Sequence, residues 1–167
     1  MQNLNRELIY TWLEQIADPE IPVLSILDLG IVRDVQVTNE SVDVVITPTY
    51  SGCPAMDAIA VAIRMTLLEH GIKNLNLSQS LSPAWTTDWM TDAGKEKLRV
   101  YGIAPPQRMT AHQSMRTQSL LDDDPMVPCP QCQSTDTREI SRFGSTACKA
   151  LYQCNACKEP FDYFKCH

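Results

Sequence analysis

Two cysteine pairs near the C-terminus, Cys129-Pro130-Gln131-Cys132 and Cys154-Asn155-Ala156-Cys157, constrain this chain more than any other feature. Two residues between paired cysteines let both sulfurs of one tight turn converge on a single ion. A second such turn, about twenty residues on, completes a tetrahedral four-thiolate cage of the zinc-ribbon kind. The tail over 126–167 is too short to fold on its apolar side chains alone, and a structural zinc supplies roughly 10–16 kcal/mol toward that deficit. The competing reading, two disulfides, needs an oxidising compartment that nothing else in the sequence supports. Four cysteine ligands also suit iron, so a rubredoxin-like electron carrier is chemically allowed; zinc is the expected ion.

The N-terminus lacks the basic-then-apolar layout of a signal peptide, and no apolar run is long enough to span a bilayer. A cytoplasmic location is therefore expected, where paired cysteines more often bind metal than each other. The net charge is −6, and residues 1–83 hold four Lys/Arg against ten Asp/Glu. The tail is near neutral, with Arg138, Arg142, Lys149, Lys158 and Lys165 against Asp136, Glu139, Glu159 and Asp162. A ribbon that binds nucleic acid draws most of its affinity from a basic stripe, which is missing here. A protein partner or a metal cluster suits the charge better.

Periodicity predicts a first helix over 3–17, with Leu4, Leu8, Ile9, Trp12, Leu13 and Ile16 on one face and Asp18-Pro19 as its stop. Alternation at Val35 and Val37, then at Val42, Val44 and Ile46, predicts a hairpin turning through 38–41. A long apolar helix follows over 54–70, stopped by Gly71. Met56, Ile59, Ala60, Ile63 and Leu67 form its stripe. Ala58, Val61, Ala62, Met65 and Leu68 widen that stripe, so most of the helix is expected to be buried. A strand over 73–81, a Trp85/Trp89 pair and a helix over 91–101 complete the front part. The expected fold class is α+β: a small helix–hairpin–helix–strand domain over 1–104, a polar linker over 105–125, and a zinc ribbon over 126–167. In the ribbon, Phe143, Tyr152, Phe161, Tyr163 and Phe164 are the expected core.

Two loops of the front domain carry candidate chemistry. In Thr47-Pro48-Thr49-Tyr50-Ser51-Gly52-Cys53-Pro54, Pro54 suits the first helical position, which sets Cys53 at or beside the N-cap. Helix dipole and unpaired N–H groups favour a thiolate there, and Gly52 turns the backbone sharply while leaving space beside the sulfur. The plainer alternative is a small cysteine buried under the sheet. The second loop, from Asp18-Pro19-Glu20-Ile21-Pro22 to Asp28, offers three carboxylates; with a thiolate they could hold a cluster iron. Equally, Asp18 caps, Glu20 is solvated, and Ile21, Leu24 and Ile26 are core. Cys148, Cys166 and His167 are left over. The two cysteines are either small buried residues or additional ligands around a second, labile site.

The residues Asp18-Pro19-Glu20-Ile21-Pro22, Asp28-Leu29-Gly30-Ile31, the 42–47 strand and Thr49-x-Ser51-Gly52-Cys53-Pro54 resemble the domain of SufT-type iron–sulfur assembly factors, over about 4–104. The ribbon stretch from Phe143-Gly144-Ser145-Thr146-Ala147-Cys148 through Cys154, Cys157 and Glu159-Pro160-Phe161 to Phe164-Lys165 is narrower still. The whole layout resembles the phenylacetate-degradation protein D family. That resemblance implies a place in aerobic phenylacetate breakdown, beside a multicomponent di-iron monooxygenase that epoxidises phenylacetyl-CoA. The reductase component of that system carries a flavin and a [2Fe–2S] cluster. By position, Cys53 matches the family's reactive cysteine and Glu20 its loop acid.

The expected role is thus an accessory factor that helps insert the cluster into the reductase. Its partners are then the reductase or oxygenase subunits and the iron–sulfur assembly machinery, with a cluster held in transit. The alternatives are a structural or electron-transfer subunit of the epoxidase and, against the charge balance, a nucleic-acid adaptor. Paired Glu-x-x-His motifs for a di-iron centre are missing, as is a Gly-rich phosphate loop, so no catalysis of its own is expected. The apolar 61–68 surface is expected to pack either internally or across a homodimer.

Overall fold

The computed structural model describes residues 4–38, 41–107 and 126–165. The middle of the expected hairpin turn (Asn39, Glu40), most of the expected linker, His112, Cys166 and His167 lie outside those residues. Packing divides the chain into two compact units between Lys97 and Leu98.

The first unit opens with helix α1 (Arg6–Leu13), capped by Asn5, whose side-chain oxygen accepts the Leu8 N–H at 2.8 Å. The helix is shorter than the periodicity predicts at both ends. Asn5 sets the start. At the other end Gln15 and Ile16 tighten into i→i+3 turns, Ala17 forms a β-bridge with Ser25, and the Ile26 N–H reaches the Ile16 carbonyl. Ile16 is thus buried as expected, but from a turn that closes the next loop.

Strands β1 (Val32–Val37) and β2 (Val42–Ile46) pair antiparallel. Helix α2 (Ala55–Glu69) then crosses over to β3 (Leu75–Gln79), which pairs parallel with β2 to give the order β1-β2-β3. Gly71, with φ +88°, ends the crossover helix in the left-handed region where a side chain is disfavoured. The core is built from Ile9 and Leu13 of α1, Val35 and Val44 of the sheet, and Ile59, Ile63 and Leu67 of α2. Each fully buried Leu or Ile contributes roughly 1.5–3 kcal/mol.

The expectation that most of α2 is buried is corrected. Met56, Ile59, Ile63 and Leu67 face inward, whereas Val61, Met65 and Leu68 are more than half exposed. A three-stranded sheet covers only one side of a helix, so the second apolar stripe has no layer to bury it. The third strand ends at Gln79, short of the expected 81, and Leu81 beyond it is also exposed.

Helix α3 (Asp92–Tyr101) is started by Thr91, whose hydroxyl accepts the Gly94 N–H at 2.9 Å. Before it, Trp85 is buried and donates its indole N–H to the Leu29 carbonyl at 2.8 Å. Trp89 lies under the Arg33 guanidinium at 3.4 Å from the ring centre. Gly30, at φ +66°, is required here: a Cβ at this position would sit 2.4 Å from the Trp89 carbonyl oxygen.

The second unit is a four-stranded sheet in the order β4-β7-β6-β5, made of β4 (Ile103–Ala104), β5 (Thr137–Ser141), β6 (Lys149–Cys154) and β7 (Pro160–Phe164). The ribbon strands β5, β6 and β7 are antiparallel, and β4 joins parallel to β7. Pairing of Ile103 and Ala104 with Asp162 and Tyr163 places these two residues in the ribbon sheet, ahead of the expected start at Met126.

Ala104, Val127, Cys129, Ala150, Tyr152, Cys154 and Phe161 form the core of this unit, with Tyr163 packed edge-on against Tyr152 at 5.6 Å. Phe164 is also buried. Phe143 departs from the expected core: it is exposed, and the Lys165 ammonium sits 4.3 Å from its ring centre. It follows β5 past the bend at Arg142 and lies outside any strand, so no pleat turns it inward. Among the described residues no helix is long and apolar enough to cross a membrane.

Candidate metal centre and thiol site

The two cysteine turns are built alike. In the first, the Cys129 carbonyl accepts the Gln133 N–H at 2.9 Å, and the Cys129 N–H donates to the Ser134 carbonyl at 2.9 Å. In the second, the Cys154 carbonyl accepts the Lys158 N–H at 3.0 Å, and the Cys154 N–H donates to the Glu159 carbonyl at 2.9 Å. Each turn closes through a residue in the left-handed region, Gln133 at φ 62° and Lys158 at φ 67°. Neither is glycine, so each costs about 1–2 kcal/mol of backbone strain that the closed turn holds in place. Gln133→Gly is therefore expected to raise the stability of the zinc-loaded ribbon by about 0.5–1 kcal/mol, after the glycine's larger unfolded-state entropy is subtracted. Denaturant midpoints of the loaded protein measure it.

Matching turns bring four sulfurs together. Cys129 lies 3.7 Å from Cys157 and Cys132 lies 3.6 Å from Cys154, and all four are within 4.8 Å of one another. Sulfurs held at about 2.3 Å by one tetrahedral ion are about 3.8 Å apart, whereas a disulfide needs about 2.05 Å. The spacing fits one ion and no disulfide, and the soft donor set suits zinc. Cys129 and Cys154 are buried in the ribbon core, while Cys132 and Cys157 are exposed.

A brace that the sequence does not announce ties the turns together. Asn155, beside Cys154, donates its backbone N–H to the Asp136 carbonyl and its side-chain amide to the Asp136 carboxylate, both at 2.8 Å. Asp136 leads out of the first turn into β5, and its separation of nineteen residues from Asn155 gives no local signal.

Without metal the thiols hold their protons unevenly. The Cys157 N–H, aimed at the Cys154 sulfur at 3.5 Å, leads the effects that pull Cys154 down to about 7. The Glu159 N–H draws Cys157 down, but lost hydration and the crowded sulfurs of Cys132, Cys154 and Cys129 outweigh it, and Cys157 is pushed up to about 12. Loading a dication deprotonates all four, so binding releases protons and affinity falls as the pH drops.

Among the described cysteines, Cys53 and Cys148 are not in this group. Cys148 is buried, its sulfur 3.0 Å from the Thr146 hydroxyl, and it is not one of the four clustered ligands. Lys149 is buried, its ammonium 3.9 Å from the Asp162 carboxylate. Arg138 reaches Gln153, and Lys158 reaches the Asn155 carbonyl.

In the first unit, Cys53 is half-exposed and lies one residue before Pro54, which serves as the N-cap of α2. The helix thus starts one residue later than the proline position predicts. A short turn absorbs the difference: the Cys53 N–H donates to the Tyr50 carbonyl and the Met56 N–H donates to the Cys53 carbonyl, both at 3.2 Å. Gly52 has φ +78°, with open space where a Cβ would point.

The carboxylate loop divides by role. Asp18 is buried and accepts the Glu20 and Ile21 N–H groups at 2.9 and 2.8 Å, which makes it a turn anchor. Asp28 is also buried. It accepts from the Ser25 N–H at 2.9 Å, the Thr91 hydroxyl at 3.1 Å and the Lys97 ammonium at 2.6 Å. Burial pushes its pKa up, but the Lys97 and Ser25 hydrogen bonds win and leave it below the usual carboxylate value. Glu20 is half-buried at the edge of this loop. Lys97 and Thr91, unremarkable in sequence, are what fix Asp28.

An iron–sulfur assembly type of domain followed by a four-cysteine zinc ribbon is the class that fold and site define. Residues 6–71 match the profile described as iron–sulfur cluster assembly protein, and residues 113–165 match the PaaD zinc β-ribbon domain. The chain is 51% identical, over 95% of its length and 91% of the relative's, to a protein of Escherichia coli (strain K12) named as a candidate component of the 1,2-phenylacetyl-CoA epoxidase. It belongs to that PaaD family. A further relative, an Fe–S protein maturation auxiliary factor of Porphyromonas gingivalis (strain ATCC BAA-308 / W83), is 35% identical over 52% of this chain and 83% of its own.

Solved structures share the front fold. A domain of unknown function from Bacillus anthracis aligns at TM-score 0.52 and 26% identity, covering 55% of this chain and 89% of that one. A conserved hypothetical protein of Thermotoga maritima aligns at TM-score 0.51 and 25% identity, covering 59% and 97%.

Proposed function

We propose that this protein is an accessory factor of a phenylacetyl-CoA epoxidase system and assists insertion of an iron–sulfur cluster into the reductase component. The observation that carries the reading is the joining, in one chain, of an assembly-type domain that presents a half-exposed cysteine at the tip of α2 with a PaaD-type ribbon. In this reading the cluster is cargo. The Cys53 sulfur replaces one donor thiolate on the cluster, and a client cysteine then replaces Cys53. Each exchange swaps one Fe–S bond for another and returns a proton to the departing thiol, so no net oxidation is needed. The open space where a Cβ at Gly52 would point admits the cargo. Glu20, matched by position to the family's loop acid, is assigned to cluster handling on that sequence match alone. The zinc-stapled ribbon recognises the client and performs no exchange.

Replacing Cys53 by Ser tests this directly. The side chain is nearly isosteric and lies outside the helix, so fold and zinc content are expected to stay unchanged. Reductase isolated from cells carrying this variant is expected to hold its flavin but lose most of its [2Fe–2S] absorbance. Fully loaded reductase in that background, with turnover that still requires the wild-type chain, points instead to a structural or electron-transfer subunit; the name of the Escherichia coli relative is that of a subunit.

A further inference from the structure

We infer that the solvent-facing edge of the four-cysteine site is a thiol-oxidation site, and that peroxide converts the zinc-stapled ribbon into a form held by two disulfides that cross between the turns. The grounds are the unequal placement of the ligands. Each turn buries its first sulfur, Cys129 or Cys154, in the core and exposes its second, Cys132 or Cys157. Metal-bound thiolates keep a lone pair, and only the exposed pair can meet a peroxide in solution. Each exposed sulfur also has a buried sulfur of the opposite turn close by, Cys154 at 3.6 Å from Cys132 and Cys129 at 3.7 Å from Cys157.

The chemistry balances without a further reactant. An exposed thiolate attacks hydrogen peroxide, the O–O bond breaks, and the sulfur becomes a sulfenic acid as hydroxide leaves. The buried thiolate opposite attacks that sulfur, an S–S bond forms, and a second hydroxide leaves. Two thiolates give up two electrons to one peroxide, so two peroxides consume all four ligands and free one zinc ion. The partner choice follows from the backbone. Both turns are closed by their own hydrogen bonds and joined by the Asp136–Asn155 brace, so sulfurs already facing across the gap need only approach by less than about 2 Å. Disulfides between Cys132 and Cys154 and between Cys129 and Cys157 then hold the turns together where zinc did. A thiol reductant reverses the change.

The test uses the full-length zinc-loaded protein in a Cys53→Ser, Cys166→Ser background, so that neither the thiol of the first unit nor the C-terminal thiol consumes oxidant. Hydrogen peroxide is added stepwise, zinc is followed with a metal-sensitive dye, and peptides are mapped under non-reducing conditions with fragmentation between Cys154 and Cys157. Two equivalents are expected to release one zinc per chain and to yield the two crossed disulfides. In a parallel arm, iodoacetamide is expected to label Cys132 and Cys157 before Cys129 and Cys154. Disulfides within each turn, a Cys132–Cys157 disulfide, sulfinic acids without disulfides, or zinc retained under excess peroxide would each overturn the inference.

Discussion

Cys154→Ser is expected to empty the metal site and unfold the ribbon sheet while the first unit stays folded. Cys154 does three jobs. Its sulfur is one of four ligands, its side chain is fully buried in the ribbon core, and its backbone closes the second turn through Lys158 and Glu159. A serine hydroxyl keeps the shape but is a poor zinc ligand at neutral pH. The loss therefore approaches the whole metal contribution, roughly 10–16 kcal/mol, against a typical domain stability of about 5–15 kcal/mol. A small core around Tyr152 and Phe161 cannot offset that. Zinc per chain, read by elemental analysis, is expected to fall from one to none, with loss of the near-ultraviolet signal of Tyr152 and its neighbours. Chelation of the wild type is expected to give the same spectrum. A variant that keeps its zinc and its sheet would show that three thiolates and water suffice.

What could be read from the chain alone follows from how local each cause is. The paired-cysteine turns are written in four consecutive residues each, so zinc and ribbon are legible without a fold. Hairpin, crossover helix and third strand are legible for the same reason: alternation at Val42, Val44 and Ile46 and the Met56–Leu67 stripe are local periodicities. Their extent is less so. α2 carries two apolar stripes, and only the layers around it decide which is buried. Ile103 and Ala104 give no strand signal, because a two-residue parallel pairing with β7 is set by a distant partner. The left-handed backbone at Gln133 and Lys158 is hidden because neither is glycine. In the carboxylate loop, sequence offers three equivalent acids. Separating Asp28, held by Lys97 and Thr91 more than sixty positions away, from Glu20 at the loop edge takes three dimensions.

That distant clamp sets the largest expected effect in the first unit: Asp28→Ala should destabilise it by about 3 kcal/mol. The carboxylate is buried and satisfies the Ser25 N–H, the Thr91 hydroxyl and the Lys97 ammonium at once, and the Asp28 carbonyl also accepts the Thr91 N–H at 2.9 Å. Alanine strands the side-chain donors and frees the segment that leads from the loop into β1. Lys97→Met is expected to cost less, about 1–2 kcal/mol, because its ammonium is partly solvated while the Ser25 N–H and the Thr91 hydroxyl still serve the carboxylate. The two are coupled, so the double variant should be less destabilised than the sum of the singles. Acid sensitivity gives an independent check. With its folded pKa below the unfolded value of about 3.9, Asp28 contributes full stability above that value. The contribution is lost as the pH falls through the depressed folded value, where the protonated acid no longer holds Lys97. Asp28→Asn removes that titration, so its stability below about pH 4 should fall less steeply than the wild type's. Parallel acid slopes for the two proteins in denaturant titrations would mean that the clamp is not the group that titrates.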